Sequence, residues 1–234
     1  MNLLIIGGAG GVASRVIPFL KPQHNIRVFD LRPPADATLD YRIGAVTDYD
    51  AMRDALTGMD ALIYMAMGTL NWTEVEGIQT GFDVNTKAVY LALRAAREAG
   101  IQHAVYTSSM SIYDGELTTR YFYDEAIPFD GRNLYALTKY MGEMVCYNAV
   151  VQFGMSANVL RMCFPITDEA WLEIARAGKL TFHTAASDLA RAFDAALRYR
   201  NGYQAYMISG DYEGKIINMA KAKRELGWEP LARP

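Results

Sequence analysis

Tyr135 and Lys139, in the stretch NLYALTKYMGE, are spaced as i and i+4. On a helix that spacing puts a phenol and an ammonium on one face, where each alters the other's proton affinity. Free tyrosine ionises near pH ~10 and is a poor base at neutrality, whereas a neighbouring cation favours the phenolate and brings the group toward the range of efficient acid–base catalysis. The pair therefore suits proton transfer, with a Tyr135 pKa expected below the ordinary value. A solvated helix face carrying one aromatic and one lysine has the same spacing, so the meaning of the pair depends on the segments that place it.

Those segments read as alternating strands and helices. Short apolar or β-branched runs at 3–6, 26–30, 41–43, 61–66, 104–108 and 158–162 alternate with amphipathic stretches at 11–20, 48–56, 83–99 and 134–153. This order predicts an α/β fold, a doubly wound parallel sheet with helices on both faces. Pro18 should shorten or bend the first helix, Thr47 or Asp48 can cap the second, and Gly58 and Gly100 stop the second and third. Beyond Pro165 the pieces are shorter: helices at 168–177, 187–199 and 215–226 and a strand at 204–208. The expected organisation is a nucleotide-binding domain over 1–164 and a small C-terminal substrate lobe over 165–234 that partly returns to the core.

Composition limits the function classes. The chain has 234 residues, 51% hydrophobic and 21% charged, with a formal charge of -3, as in an ordinary globular protein with a sizeable core. No basic stripe is present to neutralise phosphates, which argues against a nucleic-acid partner. Cys146 and Cys163 are too few for a disulfide framework and read as free buried thiols. No apolar run approaches the ~20 residues of a membrane span, and no basic n-region precedes the first strand. A cytoplasmic protein without a membrane or metal partner is expected.

GGAGGVA, Gly7 to Ala13, follows the first strand directly and opens the first helix. In that position glycines make a phosphate-binding turn: Gly7 for the sharp bend, Gly10 for close approach of a pyrophosphate, and Ala13 for tight helix–strand packing. Asp30 ends the second strand, where an acidic side chain accepts hydrogen bonds from the adenosine ribose. A 2′-phosphate ~4 Å away would be repelled by about 4 kcal/mol per unit charge at an effective dielectric near 20. NAD is thus expected over NADP, with Arg32 partly offsetting the repulsion.

The fifth strand runs into Thr107, Ser108, Ser109, Met110, Ser111, Ile112 and Tyr113. With the glycine turn, Asp30, YMAMG at 64–68, Asn85 in DVNTKAV, YTSSMSIYD at 106–114, YALTK and LRMCFP, the chain resembles the extended short-chain dehydrogenase/reductases, the NAD-dependent epimerase/dehydratase family. The resemblance implies a Rossmann fold and an NAD-dependent oxidoreductase. It assigns Ser109 to the substrate oxygen, Tyr135 to acid–base work, and Lys139 to the nicotinamide ribose and to lowering the tyrosine pKa. It also implies cofactor contacts from Gly7, Gly10, Gly11, Val12, Asp30, Arg32, Met65, Ala66 and Asn85, and substrate contacts from Met67, Met110, Ser111 and Phe164. A helix N-cap explains Asn85 about as well as a contact in the site, and Arg161 reads as structural.

Departures from the family pattern bear on the substrate. Ala45 replaces an acidic residue near the adenine, and Phe164 stands where nucleotide-sugar enzymes carry an asparagine toward the substrate diphosphate. The stretch between Pro165 and Ser187 is also short for a lobe that grips a nucleotide. A small sugar, sugar acid or polyol is the expected substrate. The ending Leu226, Gly227, Trp228 and Pro230 is similar to that of uronate dehydrogenases, although their carboxylate-pairing arginine has no clear counterpart besides Arg176. Trp72, Tyr121 and Phe122 are candidate pocket walls. The alternatives are a nucleotide-sugar epimerase or dehydratase with tightly bound NAD, and a non-catalytic NAD-binding sensor. A homodimer through the helices at 83–99 and 134–153 is compatible with the family's habit.

Overall fold

The computed structural model describes residues 1–69, 71–116 and 119–234. Seven parallel strands form the main sheet: β1 (Asn2–Ile6), β2 (Asn25–Asp30), β3 (Asp40–Ile43), β4 (Ala61–Tyr64), β5 (His103–Ser109), β6 (Ser156–Met162) and β9 (Tyr203–Ile208). Their order is β3-β2-β1-β4-β5-β6-β9. The progression reverses between β1 and β4, which places a crevice outside the carboxyl ends of these strands. A two-stranded parallel pair, β7 (Pro165–Ile166) and β8 (Thr184–Ala185), lies beyond the end of β6.

The period-two pattern of β1 divides the core. Leu4 and Ile6 join the cluster under α2 (Tyr49–Leu56), α4 (Ala88–Glu98) and α5 (Leu134–Phe153), whereas Leu3 and Ile5 join the cluster under α1 (Gly11–Leu20) and α7 (Ala186–Arg198). The central strands β1 and β4 are apolar and buried on both faces, as a sheet covered on both sides requires, whereas the edge strand β3 is largely exposed. α1 continues through Pro18 to Leu20. α5 has the expected ends because Asn133 accepts a hydrogen bond from Ala136 N (2.8 Å) and Gly154 closes the helix at φ 66°. Among the described residues no helix is long and apolar enough to cross a membrane, and both cysteines are buried and free.

Part of the expected C-terminal lobe belongs to this core. β9 extends the main sheet beside β6, and α7 packs on α1. α6 (Asp168–Arg176) packs against β8. The Asp188 carboxylate accepts from Leu231 N (2.9 Å) and Ala232 N (3.1 Å), and its carbonyl accepts from the Trp228 indole (2.9 Å), which ties the final segment to α7.

Two expected helices differ. The stretch 83–99 is preceded by an unanticipated helix, α3 (Val75–Phe82), and joined to it by a π turn over Asp83–Lys87. A π turn inserts one extra residue into the helical ladder, and Asn85 at its centre is fully buried. The expected helix 215–226 is helical only in its second half, ending in a π turn over Ala222–Leu226. The carboxylate of Asp211 takes the N–H groups of Lys215, Ile216 and Ile217 (3.2, 2.6 and 2.9 Å), and this competing set of bonds holds them in a loop.

Candidate active site

The carboxyl edge of the sheet carries two adjoining clefts. The first, about 460 Å³, runs from the glycine turn and the end of β2 to the start of α5. Gly7 has φ +82°, and a Cβ there would run into the main chain of Ala66. Its N–H donates to Phe29 O (2.8 Å), and Gly10 N–H donates to Gly7 O (3.0 Å), so the turn is closed by main-chain bonds. Asp30 accepts from Ala9 N (2.9 Å) and Arg32 donates to Ala9 O (3.3 Å), which holds both side chains beside the turn.

This turn has features that suit a dinucleotide: glycines where the chain bends, an uncapped start to α1, and a carboxylate beside it at the end of β2. Gly11, Val12, Met65, Ala66 and Lys139 also line this cleft. Asn85 does not. Its amide accepts from Gly68 N (3.1 Å) and donates to Thr138 Oγ1 (3.0 Å), so it is neither an N-cap nor a wall but a tie between the segment after β4 and α5. Gly7→Ala should cost on the order of 1–3 kcal/mol in backbone strain, and its clash with Ala66 should weaken NAD binding. Calorimetric titration alongside thermal melting separates the two losses.

The second cleft, about 470 Å³, opens beyond the end of β5. Met67, Ser109, Met110, Ser111 and Phe164, the substrate candidates, all line it. Tyr135 lines both clefts, as do Val12, Met67 and Met162. Phe122 is a buried wall of the second cleft and Tyr121 lines neither; Trp72 packs against the Tyr135 ring, with centroids 5.8 Å apart. Ser109 caps the short turn Met110–Ile112 by accepting from Ser111 N (3.1 Å), and it lines the second cleft together with Tyr135. It therefore serves a local turn and faces the phenol.

Lys139 is 3% exposed, and its ammonium donates to Thr107 O at 2.6 Å. Burial brings its pKa down to about 8, against an opposing pull from Glu143 and Cys146. The phenol of Tyr135 is shifted the other way from the sequence expectation. Burial raises it, and the Ser109 hydroxyl offsets only part of that rise. The ammonium lies 6.0 Å from the Tyr135 ring centroid and is committed to a carbonyl, so desolvation outweighs the cation. An alkaline difference titration, wild type minus Tyr135→Phe without NAD, should place this phenol above its ordinary ~10. A midpoint below that value would mean the cation dominates.

Behind the two clefts lies a buried ion pair that the sequence reading did not anticipate. Arg161, the structural arginine of β6, donates to both oxygens of Glu143 (Nε–Oε1 3.1 Å, Nη2–Oε2 2.8 Å) and to the Tyr113 hydroxyl. Glu143 also accepts from Ser108 Oγ at 2.5 Å. Glu143 is one turn beyond Lys139 on the same face of α5, a spacing that could have marked it.

Comparison with known proteins gives the family and the fold. The model of the NAD dependent epimerase/dehydratase family matches residues 3–168. The 3 beta-hydroxysteroid dehydrogenase/Delta 5-->4-isomerase of Mycobacterium tuberculosis is 34% identical over 153 residues, 61% of this chain and 41% of that protein. This chain thus spans less than half the length of that relative. An uncharacterised Bacillus subtilis protein, YtbQ, is 24% identical over 241 residues, 98% of this chain and 94% of its own. Among solved structures, a mutated uronate dehydrogenase superposes with a TM-score of 0.82 at 21% identity, covering 99% of this chain and 82% of that one. A short-chain dehydrogenase/reductase superfamily protein from Agrobacterium tumefaciens with bound NAD gives 0.81 at 18% identity, covering 98% and 92%. At these identities the structural likeness is one of fold.

Proposed function

Because this chain belongs to the NAD-dependent epimerase/dehydratase family, we propose that it transfers a hydride between NAD and the carbinol or carbonyl carbon of a small molecule. The observation that carries the reading is the position of Tyr135, shared by both clefts, with Lys139 on the first and Ser109 on the second. Bound NAD would supply the two-electron acceptor for the hydride of a carbinol carbon, which would be left as a carbonyl. Tyr135 takes the hydroxyl proton, Ser109 orients the oxygen by hydrogen bonding, and Lys139 places a positive charge beside the phenol. Asp30 accepts from the adenosine ribose and disfavours a 2′-phosphate, which supports NAD over NADP.

Charge narrows the expected substrates. Among the described residues no lysine or arginine lines the second cleft, and Asp114 does. The Asp114 carboxylate is already paired with Arg132 (2.8 Å), so a sugar acid or a nucleotide diphosphate would find no free counter-ion in that lining, and neutral carbinols fit better. The same fact disfavours a nucleotide-sugar epimerase. A purely sensing role is disfavoured by the convergence of Ser109, Tyr135 and Lys139. A panel of carbinols screened with NAD for NADH absorbance tests the reading, and a product carrying an inverted centre without net NADH would favour the epimerase.

A homodimer through α4 and α5 is supported by the exposed apolar side chains Leu137, Met144, Tyr147 and Val151 along α5. Sedimentation equilibrium should return twice the monomer mass, and Val151→Glu with Tyr147→Glu should return the monomer.

A further inference from the structure

The chemistry of the second cleft says what kind of molecule fits it, an inference that rests on the hydride-transfer reading of the same site. Met67, Met110, Phe122, Met162, Phe164 and Pro165 supply its apolar wall. Its polar lining groups are largely engaged within the protein. The Ser111 hydroxyl is bonded to Ser109 Oγ (3.0 Å), and the Asp114 carboxylate pairs with Arg132 (2.8 Å). Asn133 Oδ1 accepts from Ala136 N (2.8 Å), and the Tyr113 hydroxyl is bonded to Arg161. Outside the lining, the Arg120 guanidinium lies over the Phe122 ring and pairs with Asp130 (2.7 Å). A molecule with several hydroxyls would give up water for few free partners, and each unpaired group counts against binding.

Phe164 shapes the rim. It has φ +37°, a left-handed conformation that a bulky aromatic seldom takes, and it is 58% exposed. This backbone keeps the ring at the cleft while its neighbours support it: Phe182 and His183 lie 6.0 and 5.5 Å away, centroid to centroid, and stack on each other at 4.5 Å. Burial lowers the His183 pKa, so the support is an uncharged ring at neutral pH. A strained, exposed aromatic braced from behind is arranged to meet an apolar surface in front.

We infer that the substrate is an uncharged secondary alcohol, or its ketone, with an apolar carbon body, such as an alicyclic or aryl carbinol, which lies against Phe164 and the methionines while its oxygen reaches Ser109 and Tyr135. Oxidation of such a carbinol by NAD⁺ leaves a ketone, NADH and a proton, and Tyr135 receives the proton. The polar demand is met at one end of the cleft and the apolar demand along the rest.

The test uses the NAD⁺-saturated protein with cyclohexanol and 1-phenylethanol on one side and glucose, sorbitol, glucuronate and UDP-glucose on the other. Calorimetric binding and NADH formation are both read. The two apolar alcohols should bind at least about tenfold more tightly than the four polar compounds, a difference of about 1.4 kcal/mol. Phe164→Asn, which tolerates a left-handed backbone, should weaken the alcohols about fivefold or more without a matching change in NAD affinity. Preferential binding or turnover of any polar compound, or failure of both alcohols to bind, overturns the assignment. Alcohol binding that is sensitive to Phe164→Asn but yields no NADH supports the ligand class and overturns the hydride-transfer reading instead.

Discussion

Tyr135→Phe is expected to lower kcat by ~10²–10⁴-fold, the usual contribution of a positioned general acid or base, while NAD affinity stays close to wild type. The phenol hydroxyl is what the substitution removes; the ring that packs on Trp72 remains. Ser109 keeps its bonds to Ser111 N and Oγ, so the turn after β5 should hold its shape. Stopped-flow measurement of NADH formation, together with calorimetric titration of NAD, separates chemistry from binding. Turnover within a few-fold of wild type would move the proton transfer to another group.

Glu143→Ala should be the most destabilising single change near the site, about 3–5 kcal/mol, because it leaves a buried guanidinium without its counter-charge. Glu143 is fully buried and accepts from Arg161 and Ser108, with Tyr203 adding a longer contact of 3.4 Å. The carboxylate also pulls the Lys139 pKa upward against burial. Its loss should therefore carry that lysine further below about 8 and reduce the fraction charged at neutral pH. Urea denaturation of Glu143→Ala, Arg161→Met and the double variant measures the coupling. A double variant more stable than Glu143→Ala is the expected signature, and additive losses would show that the pair acts independently.

What could be read in the sequence was local. Gly7 through Ala13 lies between a strand and a helix, and Asp30 ends the next strand, so their roles follow from short-range context. α5 was legible at both ends because Asn133 and Gly154 mark them chemically. The site residues were placed by motif order, and the structure brings Ser109, Tyr135 and Lys139 to one edge. α3 was missed because it has no side-chain cap and carries Gly77 and Gly81, residues that normally signal a loop. The π turn at Asn85 has no pattern of its own, and the loop at 215–217 follows from three hydrogen bonds to Asp211. The direction of the Tyr135 shift could not be read from spacing, because i, i+4 proximity reports the cation and says nothing of burial. The charge of the second cleft likewise emerges only when segments distant in sequence are brought together.

The ammonium of Lys139 rests on the main-chain oxygen of Thr107. Such an anchor survives any exchange of the side chain at 107, because its location is set by strand register and by the docking of α5. Phe164, by contrast, contributes a side chain at an exposed rim. On the proposed hydride-transfer reading, substrate preference would drift by single substitutions at the mouth of the site while the proton-handling centre stays in place, a division of labour built into which atoms, backbone or side chain, hold each part.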